Sequence, residues 1–232
     1  MSLSPATVTL GEAAEFFAQI DYQPMLAGIA RYVHEGYVLF DVGSNAGFFT
    51  ERFLAAHAGV HGTALLFEPI PHLSGLAVRL LSTARDVAIW HVNSALGGTD
   101  GVLPLFLATN GNIGWNTAVA GNGNHPLMVR VADTARYVRQ FRPTVIKIDV
   151  EGYESYLLPG ILAQITADYR PALLLELGWG VSNPAWERFL AIARRFLAQG
   201  YVFRSLAHEP LSMDWLETLT STTDVLLVPD VP

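Results

Sequence analysis

The stretch "FDVGSNAGFFTERFL", residues 40–54, places an acid near the end of an apolar run, then a loop of small residues, then a helical pattern. The run in which it begins, "YVLFDV", is apolar almost throughout, as expected of a strand that is buried on both faces. In open α/β sheets the loop after such a strand usually contributes to a ligand site. The sequence therefore predicts an α/β fold with a binding loop after its first strand.

Similar apolar runs recur along the 232 residues, separated by helical patterns. This alternation predicts a Rossmann-like, doubly wound, mostly parallel seven-stranded sheet with helices on both faces. The predicted strands lie at residues 37–42, 63–69, 87–92, 144–150, 172–178, 201–206 and 224–229, and the predicted helices at 48–57, 71–84, 154–168 and 184–199.

Two regions fall outside this alternation. Residues 1–35 carry helical patterns and are expected to form an N-terminal helical cap that covers the site or mediates self-association, ahead of a main domain at 36–232. Residues 101–131 hold two strand-like pieces around a middle rich in glycine and asparagine. That composition predicts a hairpin or lid insertion within the main domain.

Composition limits the class of protein. Hydrophobic residues make up 51% and charged residues 15%, which is enough apolar material for a large core. The net charge of −7 and a single lysine, Lys147, argue against a nucleic-acid partner. The chain has no cysteine, no apolar run long enough for a membrane span and no basic-then-apolar start typical of a secretory signal, so we expect a cytoplasmic protein.

The first loop follows the pattern D-x-G-x-x-x-G, formed by Asp41, Gly43 and Gly47. It lacks the G-x-G of dinucleotide sites, and a carboxylate at its mouth would repel phosphates. S-adenosylmethionine, which has an ammonium, a carboxylate, a sulfonium and an adenosine, suits this loop better. The two glycines would admit its methionine part, and amide N–H groups near the helix start would take its carboxylate. Ser44 and Asn45 are also assigned to the cofactor. The alternative is a plain strand-to-helix turn.

Glu68 ends the second predicted strand, and Pro69 follows it. An acid at this place accepts hydrogen bonds from the two ribose hydroxyls of an adenosine, although NAD sites use the same acid. The alternative is a solvated acid at a strand end. After the third strand, Ser94 and Ala95 are expected beside the adenine, with Leu96 as an apolar floor.

Four segments in order, "FDVGSNAGFFT", "LLFEPIP", "NSALGG" and "IKIDVEGYE", followed by "LLLELG", resemble the FkbM-type methyltransferases over roughly residues 36–180. The resemblance implies S-adenosylmethionine-dependent O-methylation of a sugar or secondary-metabolite hydroxyl, with S-adenosylhomocysteine as product. The partner would then be a small-molecule acceptor. The chain departs from the family pattern at Ser44, where alanine is usual, and in the shifted position of Asp133.

Asp149 and Glu176 end adjacent predicted strands, where methyl transfer would take place. Asp149 is interpreted as the base or orienting acceptor for the hydroxyl, with a raised pKa, and Glu176 as its neighbour at the acceptor. Glu151 is assigned to the substrate, and Glu154 is expected to face solvent. Lys147 could pair with either Glu176 or Asp149.

Asp149, Glu151 and Glu176 could together hold a divalent cation, but nothing in their spacing demands one, so no metal is expected. In the 106–126 loop, Asn112, Trp115 and Asn116 are expected to contact the acceptor. His125, in the same loop, is an alternative base.

Two other functions stay open. An NAD-dependent oxidoreductase is disfavoured by the missing G-x-G. A non-catalytic domain that keeps the cofactor fold is disfavoured because such a domain has no need for buried carboxylates at these strand ends.

Overall fold

The computed structural model describes residues 3–119 and 126–230. The helices are α1 (Leu10–Phe17), α2 (Gln23–Ile29), α3 (Phe48–Ala56), α4 (Pro71–Leu80), α5 (Thr134–Phe141), α6 (Glu154–Leu162), α7 (Trp186–Ala198) and α8 (Met213–Glu217), with 3-10 turns at Ala30–Tyr32 and Gly180–Ser182. The strands are β1 (Tyr37–Val42), β2 (Gly62–Phe67), β3 (Val87–Val92), β4 (Ala95–Gly97), β5 (Gly101–Phe106), β6 (Pro126–Asp133), β7 (Val145–Ile148), β8 (Ala172–Leu177), β9 (Tyr201–Arg204), β10 (Pro210–Leu211) and β11 (Thr223–Pro229).

The main sheet has the strand order β10-β9-β11-β8-β7-β1-β2-β3. Strand β1 pairs in parallel with both β2 and β7, so the order reverses between β1 and β7. Strands β10 and β11 run opposite to the other six strands of this sheet. The predicted doubly wound fold is confirmed. The sheet has one strand more than the predicted seven, because the two-residue β10 folds back on β9 and is too short to give a sequence pattern.

Helices cover both faces of this sheet. On one face α2, α3 and α4 pack on β1 and β2 through residues such as Leu39 and Phe53. On the other face α5, α6 and α7 pack through residues such as Phe40 and Phe189. Because neighbouring residues of a strand point to opposite faces, both sets are buried, which explains the nearly continuous apolar runs.

A small second sheet has the order β4-β6-β5. Strands β5 and β6 are antiparallel, with Gly101 opposite Val131, and they contain the hairpin predicted at 101–131. The described part of the hairpin loop covers 107–119. Strand β6 leads directly into α5, where the Asp133 side chain caps the helix by accepting a hydrogen bond from the Ala135 N–H. The shifted Asp133 thus has a structural role in this chain.

The N-terminal residues contain α1 and α2. Thr9 begins α1 with a capping box that it forms with Glu12. At the other end of α1, Phe17 stacks on Phe48 of α3 with ring centroids 5.2 Å apart. Helix α1 therefore ends over the loop that follows β1. In the described residues no helix is long and apolar enough to cross a bilayer.

The loop after β1 depends on two glycines in left-handed conformations, Gly43 (φ 76°) and Gly47 (φ 87°). A Cβ on Gly43 would overlap with the backbone carbonyl oxygen of Asp149, and one on Gly47 would lie 3.0 Å from the Cβ of Ala77. Gly43 thus permits the close approach of the segment after β7, and Gly47 permits α3 to pack on α4. The sequence assigned both glycines to a ligand, but their immediate constraint is protein packing.

Replacing Gly43 by alanine should therefore destabilise the fold by more than the cost of a left-handed alanine, because the new Cβ would also clash with Asp149. Gly59 is the matched control, because it has a similar φ of 86° but no atom within 4 Å of an added Cβ. We expect Gly59→Ala to lower the free energy of unfolding by about 1 kcal/mol and Gly43→Ala by about 3 kcal/mol or more. Urea unfolding followed by circular dichroism measures both. Equal losses would show that Gly43 has no steric constraint.

Candidate active site

A cavity of about 430 Å³, the first cavity, opens where the strand order reverses. Its wall combines the loop after β1, the end of β2, strand β4, the hairpin loop and the segments after β7 and within β8. Eleven residues assigned to the site from the sequence line it: Gly43, Asn45, Glu68, Pro69, Ala95, Asn112, Trp115, Asn116, Asp149, Glu151 and Glu176. The fold thus brings together most of the residues chosen for cofactor, acceptor and catalysis.

A second cavity of about 260 Å³ lies next to the first. The two share six lining residues, among them Asp149 and Glu176, and Phe17 and Ile20 from the N-terminal segment. Ser44 lines the second cavity but not the first. The carboxyl groups of Asp149 and Glu176 are therefore part of a wall between two compartments, a feature that sequence patterns did not reveal.

Three predicted residues line neither cavity: Asp41, Gly47 and Ser94. Asp41 is fully buried in β1 and accepts a hydrogen bond from the Thr50 hydroxyl at 2.7 Å. The expectation of a carboxylate at the mouth of the loop is wrong, because Asp41 lies beneath the loop. His125 lies outside the described residues.

The backbone amides of the binding loop, residues 43–47, are already hydrogen bonded within the protein. The N–H groups of Gly43 and Ser44 donate to the Phe67 carbonyl at 2.9 and 3.2 Å, and the Asn45 N–H donates to Glu68 Oε2 at 3.0 Å. The amides of residues 43–47 are therefore already paired, and the expectation that amides near the start of α3 take the ligand carboxylate stays a prediction.

Glu68 both holds the binding loop in place and lines the first cavity. Its oxygens accept hydrogen bonds from the N–H groups of Asn45 and Ile70, at 3.0 and 2.7 Å, which fixes the binding loop against the end of β2. Burial raises the pKa of Glu68 to about 7, although these two hydrogen bonds act in the opposite direction. A carboxylate has about four lone-pair positions, so two stay available to a ligand in the first cavity.

Lys147 lies at the centre of the charged cluster. Its Nζ is 3.1 Å from Asp149 Oδ2, 3.4 Å from Asp41 Oδ1 and 3.1 Å from the Gly43 carbonyl oxygen. Of the two partners considered from the sequence, Lys147 thus takes Asp149 and not Glu176. The ammonium thus contacts a residue of β1, the residue that follows β7, and the binding loop.

Asp149 and Glu176 differ in protonation. Burial raises the pKa of Asp149, but the Lys147 ammonium and a hydrogen bond from Glu176 together bring it below its ordinary value. Burial, followed by the Asp149 charge, raises the pKa of Glu176 to about 11. The pair is therefore an ionised carboxylate that accepts a hydrogen bond from a neutral acid. The expected raised pKa of Asp149 is wrong, because the sequence did not reveal how closely Lys147 approaches it.

Three further acids lie at this edge of the sheet. Burial raises the pKa of Glu151 to about 9, of Glu154 to about 8 and of Asp224 to about 6. Glu154, predicted to face solvent, is 2% exposed and accepts a hydrogen bond from the Gly152 N–H at 3.0 Å. That prediction is wrong because α6 begins with its first residue turned towards the sheet. Asp224 was not among the predicted site residues, although an acid at the start of an apolar strand indicates a special environment.

The hairpin loop is tied to the binding loop by one hydrogen bond, from Asn45 Nδ2 to the Ile113 carbonyl at 2.9 Å. Both polar atoms of the Asn116 side chain form hydrogen bonds within this loop: Oδ1 accepts from the Ala108 N–H, and Nδ2 donates to the Ile113 carbonyl. Asn112 Oδ1 accepts from the Gly114 N–H. Trp115 is 46% exposed and keeps a ring face available at the first cavity.

Oxygen atoms of Asp149, Glu151 and Glu176 lie within 4.8 Å of one another, a spacing that would suit a divalent cation. Two of these groups already have other partners. Asp149 pairs with Lys147 at 3.1 Å, and the proton of Glu176 is held in the hydrogen bond to Asp149. A metal would have to share Asp149 with Lys147, and the expectation that the site holds no metal stays a prediction.

No protein-family model and no curated protein sequence matches the chain. Among solved structures it is similar to a methyltransferase FkbM from Methylobacillus flagellatus KT (13% identity, TM-score 0.51, 83% of this chain and 43% of that one). It is also similar to the bifunctional kinase-methyltransferase WbdD (11% identity, TM-score 0.52, 96% of this chain and 43% of that one). The chain thus spans less than half the length of either. At these identities the likeness confirms the fold, and the activity has to be argued from the site.

The raised pKa values predict how stability depends on pH. Glu68, Glu151, Glu154 and Asp224 hold protons in the folded state that the unfolded chain releases above pH about 4.5. The folded state therefore binds more protons between pH about 5 and 8, and the free energy of unfolding should fall as pH rises through this range.

Glu154→Gln tests this prediction with one buried carboxyl. The glutamine keeps an oxygen for the Gly152 N–H but cannot titrate, so we expect the slope of unfolding free energy against pH to become shallower by up to about 1.4 kcal/mol per pH unit. Urea unfolding at several pH values measures the slope. Glu15→Gln, at an exposed position, is the control and should leave it unchanged. An unchanged slope in Glu154→Gln would mean that Glu154 is ionised in the folded state.

Proposed function

We propose that the protein is an S-adenosylmethionine-dependent O-methyltransferase that acts on a hydroxyl of a small molecule, such as a sugar or a secondary metabolite. The observation that supports this most directly is the first cavity itself. It joins Glu68, an acid suited to a ribose, to the Asp149–Glu176 pair, where an acceptor hydroxyl could be held. The membership in the FkbM family that the sequence motifs imply is part of the same proposal.

The residues of the first cavity fit this cofactor. Glu68 has two free lone-pair positions for the ribose hydroxyls, and Ala95 and Leu96 give an apolar wall beside it for the adenine. The volume of about 430 Å³ lies in the usual range of small-molecule pockets. When bound, the cofactor supplies the methyl group from a positively charged sulfonium, which the nearby Asp149 carboxylate stabilises.

In this proposal Asp149 accepts a hydrogen bond from the acceptor hydroxyl and thereby points its oxygen at the methyl carbon. The low pKa of Asp149 makes it a weak base, but a weak base is sufficient here. With the cofactor bound, the hydroxyl oxygen would gain positive charge as its bond to the methyl carbon formed and the sulfonium lost that methyl group, so Asp149 would accept a strongly acidic proton. Glu176 donates its hydrogen bond to Asp149 and keeps that carboxylate in place.

Acceptor contacts are proposed on the hairpin loop and beside the acids. Trp115 offers an exposed ring face that suits the apolar face of a sugar, and Glu151 has an Oε2 without a hydrogen-bond partner among the described residues. Asn112 and Asn116 support the loop and are proposed to contact the acceptor through their remaining hydrogen-bonding capacity. His125 stays an alternative base.

Titration calorimetry with S-adenosylhomocysteine at pH 8, above the Glu68 pKa of about 7, tests the cofactor proposal. We expect binding in the micromolar range, and we expect Glu68→Gln to weaken it by about 1–3 kcal/mol through loss of charge-assisted bonds to the ribose. Thermal unfolding of the variant without ligand separates this from a loosened binding loop. NAD should give no binding. Binding of NAD without binding of S-adenosylhomocysteine would favour the oxidoreductase instead.

Asp149→Asn tests the proposed chemistry, because it keeps the shape and removes the charge. In an assay of S-adenosylhomocysteine release with glycosides, macrolide-like alcohols and amines, the rate should fall by about 10²–10⁴-fold, with cofactor affinity within a few-fold. A near-full rate in Asp149→Asn, together with a loss in His125→Ala, would place the base on the hairpin loop. Loss of activity on chelation, with recovery in Mg²⁺, would make the acids metal ligands.

A further inference from the structure

The second cavity has a lining unlike that of the first. Its lining includes the aromatic residues Phe17, Tyr22, Phe48 and Phe49 and the acids Asp149, Glu176 and Asp224. Aromatic faces and carboxylates both attract positive charge. Lys147 already lies over the Phe49 ring, with its Nζ 5.6 Å from the ring centroid, so the acids are the groups that would favour a further cation.

The one lysine at this cavity does not neutralise all three acids. The Nζ of Lys147 is within 3.4 Å of Asp149 and Asp41. Glu176 is neutral because it holds a proton towards Asp149. Asp224 lies directly opposite Glu176 in the antiparallel pair of β11 and β8, and it has no ion pair among the described residues. Asp224 is thus the carboxyl group of this wall that lacks a cation.

Ser44 gives a second and independent indication. Its side chain is 4% exposed, it lines the second cavity, and its Oγ has no hydrogen-bond partner in the described residues. A buried hydroxyl without a partner is destabilising, so it is expected to bind a ligand group. Because Ser44 is on the binding loop and Asp224 on β11, the polar groups reach this cavity from different parts of the fold.

We propose that the second cavity binds the ammonium group of the methyl acceptor, so that the acceptor is an amino alcohol, with Asp224 and Ser44 as the residues that recognise the amine. This inference rests on the proposed function and adds a substrate class to it. An acceptor held in this way reaches the shared wall from the second cavity and presents its hydroxyl to Asp149.

The acceptor is a better occupant than the amine of the cofactor for a geometric reason. Glu68, Ala95 and Leu96, which suit the adenosine, line only the first cavity. Asp149 and Glu176 line both cavities, so the methyl group and the hydroxyl would meet at this wall. A cation in the second cavity would then be separated from the adenosine by Asp149 and Glu176, and would belong to the acceptor.

Calorimetry on the complex with S-adenosylhomocysteine tests the inference without turnover. The probes are matched pairs, each an amino alcohol and its N-acetyl derivative: methyl glucosaminide, an aminocyclitol and a short aliphatic amino alcohol. We expect at least one free amine to bind in the millimolar range or tighter, and at least about tenfold tighter than its neutral partner. If no pair shows this preference, the inference is wrong, while cofactor binding still stands as the separate test of the proposed function.

Two variants locate the amine. Asp224→Asn should lower affinity for the free amine by about tenfold and leave the N-acetyl partner unchanged, and Ser44→Ala should lower it by a few-fold. Asp214→Asn, the same change at an exposed site on α8, is the control and should have no effect. An equal loss for both members of a pair would mean that Asp224 has only a structural role, and the inference would fail.

The cofactor itself also has an ammonium, so a further comparison separates the two sources. S-adenosylhomocysteine carries the amine and 5′-methylthioadenosine lacks it. We expect Asp224→Asn to bind both as the unmodified protein does. If the variant lost affinity for S-adenosylhomocysteine alone, the second cavity would hold the amine of the cofactor, and the assignment to the acceptor would be overturned.

Discussion

The buried ammonium of Lys147 is the interaction on which the rest of the site depends. It lies within 3.4 Å of one carboxylate in β1 and another just after β7, and it donates to the carbonyl of the first glycine of the binding loop. These three segments meet where the strand order reverses, so one side chain fixes the geometry of the edge that carries both cavities. Without this charge, Asp41 would be a fully buried carboxylate with no cation, which is strongly destabilising, and Asp149 would lose its ion-pair partner.

The same ammonium determines where protons are held. Because Lys147 stabilises the charge of Asp149, the next acid along the wall, Glu176, cannot also ionise at low energy and keeps its proton. Burial and then the Asp149 charge raise the pKa of Asp224 to about 6, and Lys147 acts in the opposite direction. The strand ends thus carry carboxyl groups of different protonation.

The fold was predictable because the central strands are buried on both faces and so give apolar runs. Glu68, Asp149 and Glu176 were found for the same reason, since an acid at the end of such a run needs a special environment. Asp224 and the Lys147 contacts with Asp41 depend on which strands are neighbours, and sequence patterns do not give strand order. Glu154 was misplaced because burial at the start of a helix depends on how the helix meets the sheet. The packing role of Gly43 was not predicted because its carbonyl neighbour, Asp149, is distant in sequence.

The proposed reaction would neutralise charge at this edge of the sheet. A sulfonium and the Asp149 carboxylate would become a neutral thioether and a carboxylic acid, because Asp149 would take the proton of the methylated oxygen. Lys147 would then keep Asp41 as its carboxylate partner, 3.4 Å from its Nζ. Burial raises the pKa of Asp149, but the Lys147 ammonium brings it below its ordinary value, so Asp149 would release this proton to solvent and regain its charge.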